Sequence, residues 1–299
     1  MIRSRLAPTP SGYLHTGNAV NFAITAALTR ALGGELRLRI DDLDAERARP
    51  EYTADIFATL AWLGIRWDSG PGTIGEASVF SQQKRIERYI RLIARLIASG
   101  QVFACTCSRS LVQQRTGGIA YDGFCRAAQH PLTGGAVLRF ALPAAPVVVN
   151  DALRGSLSVD VAMLGGDPVI RRRDGLPAYH IASLADDLDD RINLIVRGED
   201  LLASTATQLA IAEALGDTGL AFRKTQFLHH GLLTGENGIK LSKSQGDSPL
   251  SELRQRGETA AFVFREAAAL LRVQGAENLG QLKESVKELA APFGAVRDF

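Results

Sequence analysis

One segment near the start of the chain joins a short β-prone run, a tight Pro/Gly turn and the beginning of an apolar helix. It runs from Arg5 to Asn18 and reads RLAPTPSGYLHTGN. The first turn of a helix presents unpaired backbone N–H groups and the positive end of its dipole, and both suit a phosphate group. Gly17 would let a purine ring lie against the backbone, and His15 can donate a hydrogen bond to a phosphate oxygen as charge develops there. The segment therefore predicts a nucleotide site between a strand and a helix.

The first hundred residues alternate between helix and strand periodicity. An apolar helix is predicted over about residues 18–32, where Gly33 ends it, and a strand follows over 36–40, where apolar residues alternate with arginines. Amphipathic helices are predicted over 51–63 and 82–98. This βαβα order predicts an α/β fold with a Rossmann-like, doubly wound parallel sheet, in which ligands bind at the carboxyl ends of the strands.

The rhythm is interrupted once. Residues 103–165 hold all three cysteines, a Gly/Pro-rich stretch and short β-prone runs, so we predict an insertion between two halves of one catalytic domain, 1–102 and 166–250. Residues 251–299 are predicted to form a short helical tail. The side chains expected on its buried face are Phe262, Phe264, Leu270, Leu271, Leu282 and Leu289.

Charge and hydropathy restrict the possible partners. The net charge is +2, from 34 basic and 32 acidic residues, so the chain has no global basic field, although a local basic patch could still contact nucleic acid. The sequence contains no long apolar run, and we expect no charged-then-apolar leader. We expect a cytoplasmic monomer that does not bind membranes.

Two motifs at opposite ends of the α/β pattern resemble a known family. His15-Thr16-Gly17-Asn18 and Lys240-Leu241-Ser242-Lys243-Ser244 resemble the two signatures of class I aminoacyl-tRNA synthetases. Alone, the first could be a structural turn and the second a solvated loop. Three blocks between them resemble the glutamate branch of the family, so the resemblance covers roughly residues 3 to 250 and favours the functional interpretation. These blocks are Arg39–Asp44, Tyr179–Ser183 with Asp186-Asp187, and Val196–Asp200.

The resemblance implies a reaction and the residues that carry it. A carboxylate would attack the α-phosphate of ATP, supplied with Mg²⁺, to form an acyl-adenylate and pyrophosphate, which requires alignment and charge stabilisation. His15, Lys240 and Lys243 would be catalytic, and Gly17 and Asn18 would bind ATP together with His15 and Lys243. Asn18 stands where the family often has a second histidine.

A glutamate pocket needs fixed cations for two carboxylates and an anion for the ammonium group. Arg5 and Arg197 are candidates for the cations, because a planar guanidinium holds a carboxylate through two bonds. By resemblance, the glutamate-binding residues are Arg5, Thr9, Asp41, Tyr179 and Arg197. Asp41 would take the ammonium group, although the family usually has the longer Glu there, and Ser183 replaces a common asparagine.

Two charged runs remain outside these assignments. The acidic run Asp186-Asp187 and Asp189-Asp190 is predicted to be mostly solvated. Arg171-Arg172-Arg173 is predicted to lie on alternate faces of a strand, and it could also touch an RNA phosphate.

All three cysteines lie within 21 residues, as Cys105, Cys107 and Cys125. They could be ordinary buried side chains, but their clustering favours a structural zinc site, which needs four ligands. The pattern resembles the zinc site of a truncated branch of the family, in which a tyrosine supplies the fourth ligand. This implies Tyr121 here, with His130 as the alternative.

The acceptor of the activated glutamate is predicted from the length after the second signature. Only about 55 residues follow Ser244, which is too short for the usual anticodon-binding domain. In the truncated branch, glutamate is transferred to the queuosine base in the anticodon loop of tRNA(Asp), and we expect the same here. Three alternatives stay open: transfer to a tRNA 3′ end, transfer to a small molecule or carrier protein, and a degenerate body that only binds RNA or nucleotide.

Overall fold

The computed structural model of the chain describes residues 1–118, 120–233, 249–291 and 293. Within them the strands are β1 Arg3–Leu6, β2 Glu35–Leu38, β3 Val102–Cys105, β4 Val137–Phe140, β5 Val147–Asp151, β6 Gly155–Val159, β7 Val169–Arg171, β8 Leu194–Gly198 and β9 Gln226–His230. The helices are α1 Thr16–Ala31, α2 Pro50–Trp62, α3 Ile74–Ala77, α4 Ile86–Ala98, α5 Arg109–Thr116, α6 Val161–Leu164, α7 Tyr179–Asp189, α8 Leu202–Ala214, α9 Leu220–Arg223, α10 Leu250–Gln255, α11 Ala261–Leu271, α12 Leu279–Ser285 and α13 Lys287–Ala290. Among these helices, none has both the length and the apolar character needed to cross a bilayer.

The central strands are largely parallel. β1 pairs with β2, and β8 and β5 each pair with β9, all in parallel. β1 also lies beside β8, because the Asn193 backbone N–H donates to the Arg3 carbonyl at 3.0 Å and Ser4 Oγ donates to the Leu194 carbonyl at 2.8 Å. The predicted α/β class is therefore confirmed.

The strand arrangement as a whole is mixed. β5 and β6 form an antiparallel pair, and β3, β4 and β7 form a separate antiparallel sheet. The prediction of a Rossmann-like, doubly wound parallel sheet was thus only partly right. The predicted domain boundaries stay a prediction: the second sheet begins at Val102, whereas β5, inside the predicted insertion, pairs with β9.

Helices cover both faces of the parallel strands. Along β8, Leu194 and Val196 join one hydrophobic core, and Ile195 between them joins a second core. Successive side chains of a strand point to opposite faces, so this division shows that both faces are buried. Burial of both faces explains why the apolar residues of β8 form a continuous run and do not alternate with polar ones.

The first helix is central to one core. α1 ends where predicted, because Gly33 adopts a φ of 61° and the Gly34 backbone N–H returns to the Thr29 carbonyl at 2.8 Å. The helical tail packs against α1 and the same core. Of the tail residues predicted to be buried, Phe264, Leu271 and Leu282 are fully buried, and Phe262, Leu270 and Leu289 are partly buried.

Candidate active site

A cavity of about 410 Å³ lies at the carboxyl ends of the parallel strands β1 and β8. The loop after β1, the start of α1 and the start of α7 form the rest of its wall. Its lining residues are Arg5, Ala7, Pro8, Thr9, Ser11, Gly12, Tyr13, Leu14, His15, Asn18, Asn21, Phe22, Asp41, Tyr179, Ser183, Val196, Arg197 and Leu201. The structure thus brings every predicted glutamate-binding residue into one cavity with His15 and Asn18.

The loop that carries His15 is held from three sides. His15 precedes the first residue of α1, and its backbone N–H donates to Asn18 Oδ1 at 3.2 Å. The Leu14 backbone N–H donates to the buried carboxylate of Asp55 at 2.9 Å, and the Leu14 carbonyl accepts from the backbone of Leu250 at 3.1 Å. The backbone that carries the imidazole is therefore held at the N-terminal end of the helix, where the dipole favours an anion.

Gly17 does not line the cavity. A Cβ placed on it would lie 3.1 Å from Cε1 of His15 and 3.2 Å from its Nδ1, which is a tight contact. In this structure the missing side chain makes room for the imidazole ring of His15. Its predicted contact with a purine stays a prediction.

Arg197 reaches the cavity from β8 and is 3% exposed. Its Nη1 donates to Thr205 Oγ1 at 3.0 Å and to Gln208 Oε1 at 2.7 Å, whereas Nη2 has no hydrogen-bond partner in the described residues. A buried guanidinium nitrogen without a partner is costly unless a ligand completes it. The arrangement leaves one edge of this cation for an incoming acceptor.

Arg5 and Asp41 belong to one buried ion-pair network. Asp187 Oδ1 accepts from Arg5 Nε at 3.2 Å and from Arg39 Nη1 at 2.6 Å, and Arg39 Nε donates to Asp41 Oδ1 at 2.7 Å. Burial raises the pKa of Asp41 to about 6, with Arg39 acting in the opposite direction. Arg5 presents positive charge and Asp41 negative charge to the same cavity.

The prediction of a solvated acidic run was wrong for Asp186 and Asp187. Both are buried, at 0% and 1% exposure. Asp186 accepts from Gln82 Nε2 at 2.8 Å, Arg85 Nη1 at 2.9 Å and Tyr89 Oη at 3.0 Å. These partners lie about 100 residues away in the sequence, so only the folded chain reveals why the carboxylates are internal.

A sequence signal for Asp187 did exist. It follows the pocket residues Tyr179 and Ser183 at intervals of four along α7, so all three share one helical face. Arg39 also lies within a block already quoted for its resemblance to the family. Neither residue was identified as part of the site, because Asp187 was assigned to a solvated acidic run and Arg39 to the alternating pattern of a strand.

The remaining predicted residues are placed as follows. Thr9 lies in the loop after β1, and Tyr179, the first residue of α7, is 45% exposed at the cavity. Lys240 and Lys243 lie outside the described residues. The chain on either side of them is close to the cavity, since His230 Nε2 lies 3.1 Å from Oδ1 of the lining residue Asn21, and Leu250 bonds to Leu14 as described above.

A second cluster lies in the predicted insertion. The sulfur atoms of Cys105, Cys107 and Cys125 are all within 4.8 Å of one another, and those of Cys107 and Cys125 are 3.5 Å apart. The Tyr121 hydroxyl accepts the Cys125 backbone N–H at 2.8 Å and packs in the same buried cluster. A tetrahedral zinc with Zn–S bonds near 2.3 Å places its sulfurs about 3.8 Å apart, so the donors fit that ion. His130 is not part of the group.

Each of the three arginines at positions 171–173 already has a hydrogen-bond partner within the protein. Arg171 donates to the Leu132 carbonyl, Arg172 pairs with Asp174 at 2.6 Å, and Arg173 donates to the Thr106 carbonyl. Contact with RNA phosphate stays a prediction.

Residues 1–289 match the family model of class I tRNA synthetases (E and Q), catalytic domain. The chain is 39% identical over 251 residues to a protein from Methylococcus capsulatus named glutamyl-Q tRNA(Asp) synthetase. This alignment covers 84% of this chain and 78% of that protein. It is 36% identical over 284 residues to a glutamate–tRNA ligase from Sulfurihydrogenibium sp., covering 90% of this chain and 58% of the ligase. The chain thus spans less than two thirds of that ligase.

The fold agrees with these matches. The crystal structure of a glutamate–tRNA synthetase from Elizabethkingia anophelis superposes with a TM-score of 0.76 at 25% identity and covers 95% of this chain and 65% of that one. Sequence and fold lead to the same group of enzymes. The chain belongs to the class I tRNA synthetases (E and Q) and carries their catalytic domain.

Proposed function

We propose that the chain activates L-glutamate with ATP and Mg²⁺ and then transfers the glutamyl group to the queuosine base in the anticodon loop of tRNA(Asp). The observation that carries the first step is the charge arrangement of the cavity. Arg5, Arg197 and Asp41 offer two cations and one anion, which match the two carboxylates and the ammonium group of glutamate.

Each charged group has a defined task in this proposal. Arg197 binds the side-chain carboxylate, with the partner-free Nη2 donating one bond. Asp41 binds the ammonium group. Arg5, Thr9 and Tyr179 complete the contacts around the substrate and keep the α-carboxylate directed towards ATP.

The chemical step needs alignment and neutralisation of charge. An oxygen of the glutamate α-carboxylate forms a bond to the α-phosphorus while the bond to the bridging oxygen breaks, and pyrophosphate leaves. His15 and Asn18, at the start of α1, stabilise negative charge on the α-phosphate. Lys240 and Lys243 neutralise the leaving pyrophosphate, with Mg²⁺ bound to the nucleotide.

The acceptor is proposed from the relative that carries the glutamyl-Q name, since 84% of this chain aligns with it. The similarity to glutamate–tRNA ligases favours a second candidate, transfer to the 3′ end of a tRNA. Both acceptors use the same glutamyl-adenylate, so the activation site does not distinguish them.

We further propose that Cys105, Cys107, Cys125 and Tyr121 hold a structural Zn²⁺. Three thiolates and a phenolate would close the coordination sphere and leave no open position for a substrate. The ion would join β3 to the segment around residues 121–125. It would therefore stabilise the insertion and take no part in the reaction.

Activation is tested by pyrophosphate exchange. The chain should exchange labelled pyrophosphate into ATP only when glutamate and Mg²⁺ are present, without any tRNA. Lys243→Ala should abolish exchange, whereas the exposed control Lys287→Ala should not change it. Exchange that does not depend on glutamate would refute the activation proposal.

The acceptor is tested with labelled glutamate and matched RNAs. Queuosine-containing tRNA(Asp) should be labelled in its anticodon loop, and the same tRNA without queuosine should not be labelled. Label at the 3′ end of tRNA(Glu) would refute the queuosine proposal and support the second candidate.

A further inference from the structure

A buried chain of hydrogen bonds connects Arg197 to a histidine and a carboxylate on neighbouring strands. Arg197 Nη1 donates to Thr205 Oγ1, which lies 2.9 Å from His229 Nε2. His229 Nδ1 lies 2.7 Å from Asp151 Oδ2. Thr205 and His229 are both 0% exposed, so water does not compete for these bonds.

The Asp151 carboxylate determines which atoms donate and which accept along this chain of hydrogen bonds. Asp151 also accepts the backbone N–H groups of Leu153, Arg154 and His229, at 2.9, 2.9 and 2.7 Å. Burial acts to raise the pKa of Asp151, but the bonds from His229 and the backbone outweigh it and hold the pKa below its ordinary value. An ionised Asp151 can only accept, so His229 carries its proton on Nδ1.

This tautomer determines what Thr205 can do. With its proton on Nδ1, the imidazole offers a lone pair at Nε2, 2.9 Å from Thr205 Oγ1; the Thr205 hydroxyl also lies 3.2 Å from the Leu201 carbonyl and shares its one proton between these two acceptors. The lone pairs of the Thr205 oxygen then face Arg197 Nη1. Gln208 Oε1 accepts the other Nη1 hydrogen, so Nη1 is fully used by the protein.

We propose that His229, oriented by Asp151 and acting through Thr205, is a positioning residue that turns the Nη2 edge of Arg197 towards the side-chain carboxylate of glutamate. The proposal rests on the proposed function, since it assigns Arg197 the same role. His229 does not line the cavity, and the effect is transmitted by hydrogen bonds alone. Loss of the chain should leave Nη1 held by Gln208 without Thr205 and let the guanidinium rotate about the remaining bond.

Two substitutions of His229 distinguish a positioning role from a purely structural one, because their amide groups reach different ring positions. The amide of Asn reaches the position of Nδ1, so His229→Asn keeps the bond to Asp151 and loses Thr205. The amide of Gln reaches the position of Nε2, so His229→Gln keeps an acceptor for Thr205. Only the first should disturb Arg197.

Thr205 offers an independent variant with a matched control. Thr205→Val removes the hydroxyl between His229 and Arg197. Thr29→Val is its control, because Thr29 is also 0% exposed and also donates to the carbonyl four residues earlier, but it lies in α1, does not line the cavity and does not contact Arg197. Both changes remove one buried hydroxyl of the same size.

The experiment measures KM and kcat of glutamate-dependent pyrophosphate exchange on the full chain. His229→Asn and Thr205→Val should raise the KM for glutamate about tenfold, the effect of one lost bond to a charged group, while the KM for ATP and kcat stay within about twofold. His229→Gln should recover most of the loss, and Thr29→Val should match the unmodified chain.

The results distinguish failure of the positioning role of His229 from failure of the proposed function on which it rests. If the unmodified chain shows no glutamate-dependent exchange, the proposed function fails and this proposal with it. If it is active but Thr205→Val and His229→Asn leave the KM for glutamate unchanged, or raise the KM for ATP equally, the positioning role is refuted. Should His229→Asn not fold, Thr205→Val decides.

Discussion

Replacement of Asp187 by Asn tests whether the buried network holds the pocket cations in place. The carboxylate is 0% exposed and lies 2.6 Å from Arg39 and 3.2 Å from Arg5. At about 3 Å and an effective dielectric constant near 20, each pair contributes roughly 5 kcal/mol of Coulomb energy, which desolvation largely offsets. Removing one member of such a pair leaves charge uncompensated and costs about 3–5 kcal/mol. Asn has nearly the same volume, so no cavity adds to this cost.

The sign of the pH dependence follows from the same contacts. Burial would raise the pKa of Asp187, but Arg5 and Arg39 outweigh it and hold the pKa below the ordinary value of 3.8. The stability it contributes is therefore fully present above that value and is lost as the pH falls through the lower, folded-state pKa. The difference between the unmodified chain and Asp187→Asn should be largest at neutral pH and should shrink in acid.

The assay is urea unfolding at pH 7, followed by circular dichroism, with Asp189→Asn as the control. Asp189 lies on the same helix and pairs with Arg88 at 2.8 Å, but the two side chains are 42% and 52% exposed. A surface pair of this kind is worth at most about 1 kcal/mol. Equal losses of unfolding free energy in the two variants would refute the argument that burial makes the difference. Asp187→Asn should also raise the KM for glutamate, since Arg5 loses its counter-ion.

Other parts of the site are open to equally direct tests. Because the pKa of Asp41 is raised to about 6 and the ammonium group needs the ionised carboxylate, kcat/KM for glutamate should fall by up to tenfold per unit below that pH. Asp41→Asn should remove this limb of the pH profile, and a limb that persists in the variant would assign it to another group. Arg197→Lys keeps the charge but removes Nη2, so the KM for glutamate should rise at least tenfold at constant KM for ATP, and an unchanged value would exclude the contact from Nη2. Elemental analysis should find about one zinc per chain, and Cys125→Ser should lose the ion and lower Tm while leaving glutamate-dependent exchange active. A metal-free unmodified chain with the same Tm would refute the zinc site.

Sequence patterns predicted those helices and strands that depend on the periodicity and turn residues of their own segment. α1 follows from an apolar run that ends at Gly33, and β2 from the alternation of arginines with leucines. The motif residues His15, Arg5 and Arg197 were expected in one site, and the structure brings them into one cavity. Their roles in binding and catalysis stay predictions.

The residues that sequence reasoning missed are those whose surroundings come from distant parts of the chain. Asp186 is buried because residues on the 82–89 segment reach it, and His229 is linked to Arg197 only when β8, β9 and α8 are packed together. No spacing along the chain reports such contacts. A charged residue on the same helical face as pocket residues, as Asp187 is, remains the best available local signal.

The position of β1 next to β8 has a consequence for the time course of synthesis. Ser4 is bonded to Leu194, 190 residues further along, so the first strand emerges from the ribosome long before its neighbour. At about 5–20 residues per second, the delay is roughly 10 to 40 seconds. During that interval one edge of β1 is unpaired and open to a chaperone or to a neighbouring nascent chain. We expect the amino-acid pocket, which needs Arg5 and Arg197 side by side, to be among the last parts of the protein to form.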